Sequence, residues 1–297
     1  MGLEGRAAES VGSLGSSRRA LRGGSLAMAL PILAALAACA TVAACATSAA
    51  CATSAAGFVE SAVPAAGIAP GAAPAEDPLE GLEAARPGAY ADLRGGRLYL
   101  PSAWTPERKG GWPVTVVLHG YGNLSRSLSG MPFWVPAAEE YGIVLFFADR
   151  GTLGWDERRG SLDDLLLRRI LRGFRDRSWV AQDGVQLFGW SAGAIMAMGM
   201  AAVNRPGPDG RPLFDRLAAA SGGFGYVMER ELAQDGEMRG AARVPVFASW
   251  GEAEAADHGE TAAAYLAARG WTVETAVHPG GHVLPAETVR AALARNR

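Results

Sequence analysis

From residue 89 onward, short apolar runs rich in β-branched residues alternate with longer stretches of helical periodicity. The short runs have the length of strands and are bounded by turn-forming residues; they cover residues 97–100, 114–118, 143–148, 185–190, 217–220, 244–249 and 271–277. The longer stretches repeat their apolar residues every three or four positions, over residues 136–141, 162–175, 192–203, 260–268 and 286–295. This alternation predicts the α/β class, in which helices cover both faces of a mostly parallel sheet.

Two local features add detail to this fold. Ser161 is followed three residues later by Asp164, a pattern that predicts the start of the helix at residues 162–175. The first two apolar runs are joined by the turn-rich loop 101–113, so we expect them to form an antiparallel edge pair ahead of the parallel strands. Ligands of such sheets bind beyond the carboxyl ends of the strands, which is where functional residues are sought.

The first 38 residues have the composition of an export signal. Arg18, Arg19 and Arg22 precede the apolar run 26–38, which is too short to span a bilayer as a mature helix but typical of the apolar region of a signal peptide. Residues 39–88 are rich in Ala, Gly and Pro, with few large apolar side chains to offset the entropy of ordering. The predicted organisation is a signal peptide (1–38), a disordered tether (39–88) and a folded domain (89–297).

All three cysteines lie in the short segment that follows the apolar run, so the predicted domain contains no disulfide. The sequence L-A-A-C ending at Cys39 resembles the lipobox of bacterial lipoproteins, in which the cysteine is lipidated and anchors the protein to a membrane. Cys45 and Cys51 follow similar sequences and remain alternatives, as does a cleaved secretory signal followed by a plain spacer. We therefore expect export, either to the cell envelope (periplasm or outer membrane) as a lipoprotein or as a secreted protein.

Charge argues against one large class of partners. The formal net charge is −2, and it comes from 28 Lys and Arg against 30 Asp and Glu. Binding to a phosphate backbone needs an excess of positive charge. No nucleic-acid partner is expected.

The sequence G-W-S-A-G, residues 189–193, lies between the apolar run 185–190 and the helical stretch 192–203. In a chain with 39 glycines the pattern alone is weak. Its position between a strand and a helix is what a nucleophile elbow needs, because a tight turn there exposes a strained serine and the two glycines keep side chains away from it. Ser191 is the predicted nucleophile; the alternative is an ordinary serine N-cap.

A nucleophilic serine also needs an oxyanion hole and a general base. The backbone N–H of Ala192 is one predicted donor, and the N–H of Tyr121, in the H-G-Y-G-N loop after the run 114–118, is the other. His119 in that loop is expected to hold the loop rather than transfer protons. His282, in H-P-G-G-H after the last strand, is the predicted base, with His278 as the alternative.

An acid that orients the base should follow the preceding strand. The sequence W-G-E-A-E-A-A-D there contains Glu252, Glu254 and Asp257. Glu254, three residues after Gly251, is the predicted acid, and the other two carboxylates remain open.

These motifs together resemble the α/β-hydrolase superfamily, and within it the secreted esterases related to polyhydroxybutyrate depolymerases and to feruloyl and acetylxylan esterases. The resemblance runs from about residue 97 to the end, through R-L-Y-L-P, V-V-L-H-G-Y-G, G-W-S-A-G-A, S-G-G, W-G-E-A-E and H-P-G-G-H. In that family the acid is commonly Asp, whereas this chain has Glu254. The resemblance implies the α/β-hydrolase fold and hydrolysis of a small-molecule or polymeric ester through an acyl-enzyme, with no metal or organic cofactor.

Aromatic residues near the ends of the strands are candidates for the substrate pocket. Trp190 and Trp155 are predicted to bind substrate, and Phe224 could join them, although core packing is the commoner role of such side chains. Two other functions remain open: a serine peptidase with the same triad, and a non-catalytic envelope protein that uses the fold to bind a ligand.

Overall fold

The computed structural model describes residues 76–122, 124–149, 154–225, 238, 240–254 and 258–297. The predicted signal peptide, the three cysteines and most of the predicted tether lie outside these ranges. Within the described ranges, no helix is both long enough and apolar enough to cross a membrane.

Eight strands form one sheet in the described part of the chain, in the order β1-β2-β4-β3-β5-β6-β7-β8. Their bounds are β1 Tyr90–Leu93, β2 Gly96–Tyr99, β3 Trp112–Leu118, β4 Val144–Ala148, β5 Val180–Trp190, β6 Arg216–Ala220, β7 Val246–Gly251 and β8 Val273–His278. β2 is antiparallel to both of its neighbours, and all other neighbouring pairs are parallel. The prediction of a mostly parallel sheet is confirmed.

The expected antiparallel pairing of the first two apolar runs is wrong. β2 pairs with β1 and β4, while β3 lies between β4 and β5. β1 was missed because its four residues are only partly buried and form no apolar run. β3 is buried along its whole length, so it belongs in the centre of the sheet.

Six α-helices accompany the sheet in the described residues: α1 Ser125–Ser129, α2 Trp134–Tyr141, α3 Leu162–Arg175, α4 Ala192–Ala202, α5 His258–Ala267 and α6 Ala286–Ala294. The short helix α1 was not predicted. The other five match the predicted stretches, and α3 has the predicted bounds. Ser161 caps α3 as expected, because its Oγ accepts a hydrogen bond from the backbone N–H of Asp164 at 3.1 Å.

The sheet separates two apolar cores. Helices α3, α4 and α5 cover one face, where Val116 and Leu187 are buried. Helices α2 and α6 cover the other face, where Val117 and Phe188 are buried. Val116 and Val117 are consecutive in β3 but belong to different cores, because successive side chains of a strand point to opposite faces. This packing leaves the carboxyl ends of the strands as the open edge of the sheet.

The last part of the predicted tether is folded. A 3-10 helix spans Leu82–Ala84, and the side chains of Leu79 and Leu82 are buried in the core that faces α3. The N–H of Gly95 also donates to the carbonyl of Pro78 at 2.8 Å. The folded domain therefore begins before residue 89, because two leucines anchor a segment whose average composition predicted disorder.

Candidate active site

Ser191 lies in a strained turn between β5 and α4. Its φ of 56° and ψ of −121° are unusual for a residue with a side chain. The backbone holds this conformation, since the Ser191 N–H donates to the carbonyl of Ala220 at 2.9 Å and the Ser191 carbonyl accepts from Ala194 and Ile195 at 2.8 and 3.1 Å. The predicted serine turn therefore exists, and it projects Oγ at the carboxyl edge of the sheet.

The two glycines of the pentad are required by close backbone contacts. A Cβ at Gly189 would collide with the carbonyl of Gly193, and a Cβ at Gly193 would collide with the carbonyl of Leu118. These contacts bring the start of α4 directly against β5 and β3. The turn can form only where side chains are absent.

His282 joins the serine to a carboxylate. Its Nε2 lies 2.7 Å from Ser191 Oγ, and its Nδ1 lies 2.5 Å from Glu254 Oε1. An ionised carboxylate only accepts hydrogen bonds, so Nδ1 carries the proton and Nε2 is left to accept the serine proton. The structure thus brings the predicted nucleophile, base and acid into one chain of hydrogen bonds.

Glu254 is held by its second oxygen as well. Oε2 accepts the N–H of Gly251 at 2.6 Å and the hydroxyl of Ser221 at 3.0 Å. Burial alone would raise the pKa of Glu254, but the hydrogen bonds from Gly251, His282 and Ser221 outweigh burial and lower it. The carboxylate is therefore charged and fixed in direction when it faces the imidazole.

The alternative acids and bases do not join this chain of hydrogen bonds in the described residues. Glu252 is exposed, and its backbone N–H donates to the carbonyl of His278. Asp257 lies outside the described residues. His278 is buried at the end of β8, with its Nδ1 3.2 Å from the carbonyl of Pro279. His282 and Glu254 are the pair that the geometry selects.

The loop after β3 passes over the serine. A Cβ at Gly120 would lie 3.1 Å from both Ser191 Cβ and Trp190 Cε3, so the loop backbone is in contact with the nucleophile turn. Tyr121 follows directly, with 73% of its side chain exposed. Ala192 is the first residue of α4, and its N–H has no partner within the helix by position. Both predicted oxyanion donors thus belong to segments that flank Ser191.

His119 and Trp155 hold this loop in place. His119 is buried, and its Nδ1 lies 3.0 Å from the carbonyl of Gly120. The Trp155 ring packs on the imidazole with 4.8 Å between centroids, and its Nε1 donates to the His119 carbonyl at 2.8 Å. Trp155, predicted to bind substrate, contacts His119 and packs against the core that faces α3, so a substrate contact stays a prediction.

Trp190 stacks on His282. Its ring lies 6.1 Å from the His282 imidazole at an interplanar angle of 27°. Phe224 is buried and packs edge-on against Tyr265 at 5.4 Å, which makes it part of the core rather than the pocket. Of the predicted pocket residues Trp190 and Phe224, Trp190 is the one that contacts His282.

Sequence reasoning missed the role of Ser221. It follows β6, has a φ of 54° and is buried. In the sequence, the motif S-G-G contributes only to the family resemblance and points to no role for Ser221. The available signal was a polar residue before two glycines at the end of a strand. That signal does not reveal the partner, because Glu254 lies 33 residues further along the chain.

The described residues contain no group of three or more His, Cys, Asp or Glu side chains that could hold a metal ion. The site as described consists of hydroxyl, imidazole, carboxylate and backbone amide groups.

The order and direction of the strands, with the serine turn after β5, define the α/β-hydrolase fold. A ferulic acid esterase structure matches with a TM-score of 0.51 at 15% identity, covering 67% of this chain and 88% of the esterase. The fluorophosphonate-binding serine hydrolase F of Staphylococcus aureus, solved with substrate bound, matches with a TM-score of 0.50 at 13% identity, covering 70% of this chain and 96% of the hydrolase. No protein-family model and no curated protein matches the chain.

Proposed function

We propose that this protein is a serine carboxylic-ester hydrolase. The observation that carries the proposal is the continuous relay from Ser191 Oγ through His282 to Glu254, built on a strained serine turn. Strained backbone is maintained only where the surrounding structure supports it, and it concentrates at functional sites. A partly exposed serine bonded to an oriented imidazole is equipped for acyl transfer.

In the proposed reaction, His282 Nε2 takes the proton of Ser191 as Oγ forms a bond to the ester carbonyl carbon. The tetrahedral intermediate collapses, the carbon–oxygen bond to the alcohol breaks, and the imidazolium returns the proton to the departing alkoxide. Water then repeats the sequence on the acyl-enzyme and releases the acid. Glu254 stabilises the imidazolium of each intermediate through Nδ1.

The oxyanion hole is assigned to the backbone N–H groups of Ala192 and Tyr121. The first is supported by its place at the N-terminus of α4, where the positive end of the helix dipole also favours a developing negative charge. The second is supported by the contact of the Gly120 backbone with Ser191. The buried His119 and its hydrogen-bonded neighbour Trp155 keep this second segment from moving away.

Within this class we propose an esterase of the polyhydroxybutyrate depolymerase, feruloyl or acetylxylan type, with Trp190 as one wall of the acyl or phenolic pocket. The fold likeness to a ferulic acid esterase and the aromatic ring next to His282 support this type. Initial rates on acetyl, feruloyl and hydroxybutyrate esters would rank the three substrates. Trp190→Ala should lower the preferred rate selectively; an equal loss on all three would remove Trp190 from substrate selection.

The decisive test of the reaction class is labelling by a fluorophosphonate together with hydrolysis of short p-nitrophenyl esters. Wild type should be labelled and active, whereas Ser191→Ala should lose the label and at least about 10³-fold of turnover. Ser178→Ala, which changes an exposed serine elsewhere, is the matched control and should behave as wild type. An unlabelled, inactive wild type would overturn the proposal and favour a binding module.

A serine peptidase would use the same relay, so the two are separated by substrate. We expect p-nitrophenyl esters to be cleaved faster than the matching p-nitroanilides. Faster cleavage of the amides would replace the esterase by a peptidase without changing the roles of Ser191, His282 and Glu254.

We further propose that the chain is exported and tethered to a membrane through a lipid on Cys39, although the segment involved lies outside the described residues. The basic residues before an apolar run and the lipobox-like L-A-A-C support this proposal. Metabolic labelling with a palmitate analogue should mark wild type but not Cys39→Ser. An unlabelled wild type, with membrane association unchanged when Cys39, Cys45 and Cys51 are all replaced, would leave a plain secretory signal.

A further inference from the structure

A surface pocket lined by arginines lies between helix α3, together with Arg159 just before it, and the segment that follows α4. We call it the arginine pocket, and its basic side chains are Arg159, Arg168, Arg172, Arg175, Arg205 and Arg211. These arginines come from segments that are far apart in the sequence. The fold therefore collects like charges in one concavity, an arrangement that is unfavourable unless something compensates it.

The arginine pocket is separate from the candidate active site. Helix α4 begins directly after Ser191 and ends at Ala202, and the pocket is lined by residues that follow its last turn, beginning at Val203. At 1.5 Å per residue, an 11-residue helix spans roughly 16 Å. The pocket lies at the opposite end of α4 from the nucleophile.

Part of the cluster is structural. Only 7% of the Arg175 side chain is exposed, and its guanidinium contacts Asp215 at 2.5 Å and the carbonyls of Gln182 and Leu213 at 2.9 and 3.3 Å. Arg168 donates through Nε to Asp164 at 2.8 Å, one helical turn away. Arg175 and Arg168 therefore have carboxylate partners and form part of the pocket wall.

Two guanidinium groups remain uncommitted. Arg172 and Arg205 are exposed, and their side chains have no hydrogen-bond or ion-pair partner among the described residues. They approach the pocket from different walls, one from α3 and one from the segment after α4. The pocket therefore presents free, planar, charged donors from two directions.

The carboxylates near the pocket do not contact its two uncommitted guanidinium groups. The lining contains two carboxylates, Asp176 and Asp209, and two more, Asp164 and Asp215, bond to arginines of the wall. Arg159 also has an interaction partner. The positive charges of Arg172 and Arg205 are therefore left without a partner among the described residues.

Stabilisation of a helix end does not account for the cluster. Arg172 and Arg175 lie in the last turn of α3, where cations favour the negative end of the helix dipole. Arg211 lies nine residues beyond the end of α4, outside any helix, and its guanidinium donates to the carbonyl of Gln182. Arg205 also lies outside both helices and has no such bond among the described residues. A ligand that bridges the two walls would give Arg172 and Arg205 a common role.

We propose that the arginine pocket binds a phosphate-bearing ligand with at least two negative charges, such as a diphosphate or a phosphate monoester. Guanidinium forks match the oxygen geometry of phosphate and bind it bidentately. Two free guanidinium groups from two different segments suit a group with several acceptor oxygens better than a single carboxylate. The phosphate belongs either to a soluble metabolite or to a lipid headgroup, and the two sources are separable by experiment.

The test uses the full-length protein with Cys39, Cys45 and Cys51 replaced by Ser, so that the proposed lipid anchor is absent. It combines calorimetric titration with inorganic pyrophosphate and co-sedimentation with vesicles of phosphatidic acid, whose headgroup is a phosphate monoester, in phosphatidylcholine. The double variant Arg172→Ala/Arg205→Ala should weaken binding about tenfold or more, as expected for loss of charge-assisted hydrogen bonds. The control Arg86→Ala/Arg290→Ala removes the same charge from positions outside the pocket lining and should bind as wild type. Hydrolysis of p-nitrophenyl acetate should be unchanged in both variants, which verifies that they fold.

Pyrophosphate binding lost in the pocket variant assigns a soluble phosphate ligand, and vesicle binding lost in the same variant assigns a lipid headgroup. The proposal is overturned if wild type binds neither probe. Equal weakening in the pocket and control variants would also overturn it, since binding would then follow total charge rather than the pocket.

Discussion

Ser191 and Ser221 use the same backbone arrangement for different purposes. They are the two non-glycine residues with positive φ in the described chain, at 56° and 54°. Each directly follows a strand and donates its N–H to the neighbouring strand, Ser191 to the carbonyl of Ala220 at 2.9 Å and Ser221 to that of Ser249 at 2.7 Å. The difference lies in the side chains, because Ser191 is partly exposed beside His282 whereas Ser221 is buried against Glu254.

This comparison shows why a serine is kept where glycine would be easier. A side chain in this region of φ costs of the order of 1–3 kcal/mol, and glycine avoids that cost. At Ser191 the hydroxyl is the proposed nucleophile, and at Ser221 it donates a hydrogen bond to Glu254, the proposed acid. Backbone strain is present at both serines. Ser191 is partly exposed, whereas Ser221 is buried, so the proposed substrate would meet Ser191.

The largest effect that separates the two serines should come from Ser191→Gly. We expect at least about 10⁴-fold loss of ester turnover because no nucleophile remains, while the free energy of unfolding should rise by about 1 kcal/mol because the strain is relieved. Turnover of p-nitrophenyl acetate and urea unfolding measure the two quantities. Ser178→Gly, an exposed control, should not be stabilised. A destabilised Ser191→Gly would mean that the turn is not strained.

The next effect concerns the carboxylate that Ser221 supports. Glu254→Gln keeps the shape of the side chain but no longer requires a proton on Nδ1 of His282, so turnover should fall by about 10²- to 10⁴-fold. Glu252→Gln removes a neighbouring exposed carboxylate and should leave turnover unchanged. Loss of turnover in Glu252→Gln rather than in Glu254→Gln would assign the acid to Glu252. If neither variant lost turnover, Asp257→Asn would test the remaining carboxylate.

A smaller effect is expected at Ser221 itself. Ser221→Ala and Ser221→Gly both remove the hydroxyl bond to Glu254, and each should lower turnover about tenfold with little change in KM. They differ in backbone strain, so the glycine variant should unfold at a higher urea concentration than the alanine variant. Full activity in the glycine variant would show that the hydroxyl does not position the acid.

The smallest effect should appear in the pH dependence of stability. The pKa of Glu254 is lowered in the folded protein. The ionised carboxylate therefore stabilises the fold at pH values above about 4.3, the ordinary pKa of glutamate. This stabilisation is lost as the pH falls through the lower pKa of the folded state. The difference in unfolding free energy between wild type and Glu254→Gln should therefore shrink below about pH 5. Urea unfolding between pH 7 and pH 3 measures it, and a constant difference would contradict the lowered pKa.

Local patterns predicted the parts of the fold that depend on local structure. Alternating apolar runs and helical stretches identified seven of the eight strands and five of the six helices described here, and Ser161 marked the start of α3. Close backbone contacts at Gly189 and Gly193 made the serine turn recognisable, because few other residues can occupy those positions. The order of serine, acid and histidine along the chain then pointed to Ser191, Glu254 and His282.

Contacts between distant segments needed the tertiary structure. Strand β2 pairs with β4 rather than β3, and no local pattern encodes that choice. Trp155 reaches back 36 residues to His119, and Ser221 reaches forward 33 residues to Glu254. The selection of Glu254 over Glu252 has the same origin, since both are acids in one short loop and differ in what the neighbouring strands bring to them.

By itself the sequence determined the α/β class and the strand, turn and helix that present Ser191, because periodicity and the steric needs of glycine act over a few residues. The tertiary structure alone decided which distant groups come together: the Ser221 hydroxyl with Glu254, the Trp155 indole with His119, and the arginines gathered at the far end of α4 from Ser191. These placements follow from the order in which the strands pack, and that order is set by the burial of whole strands and helices rather than by any short stretch of the chain.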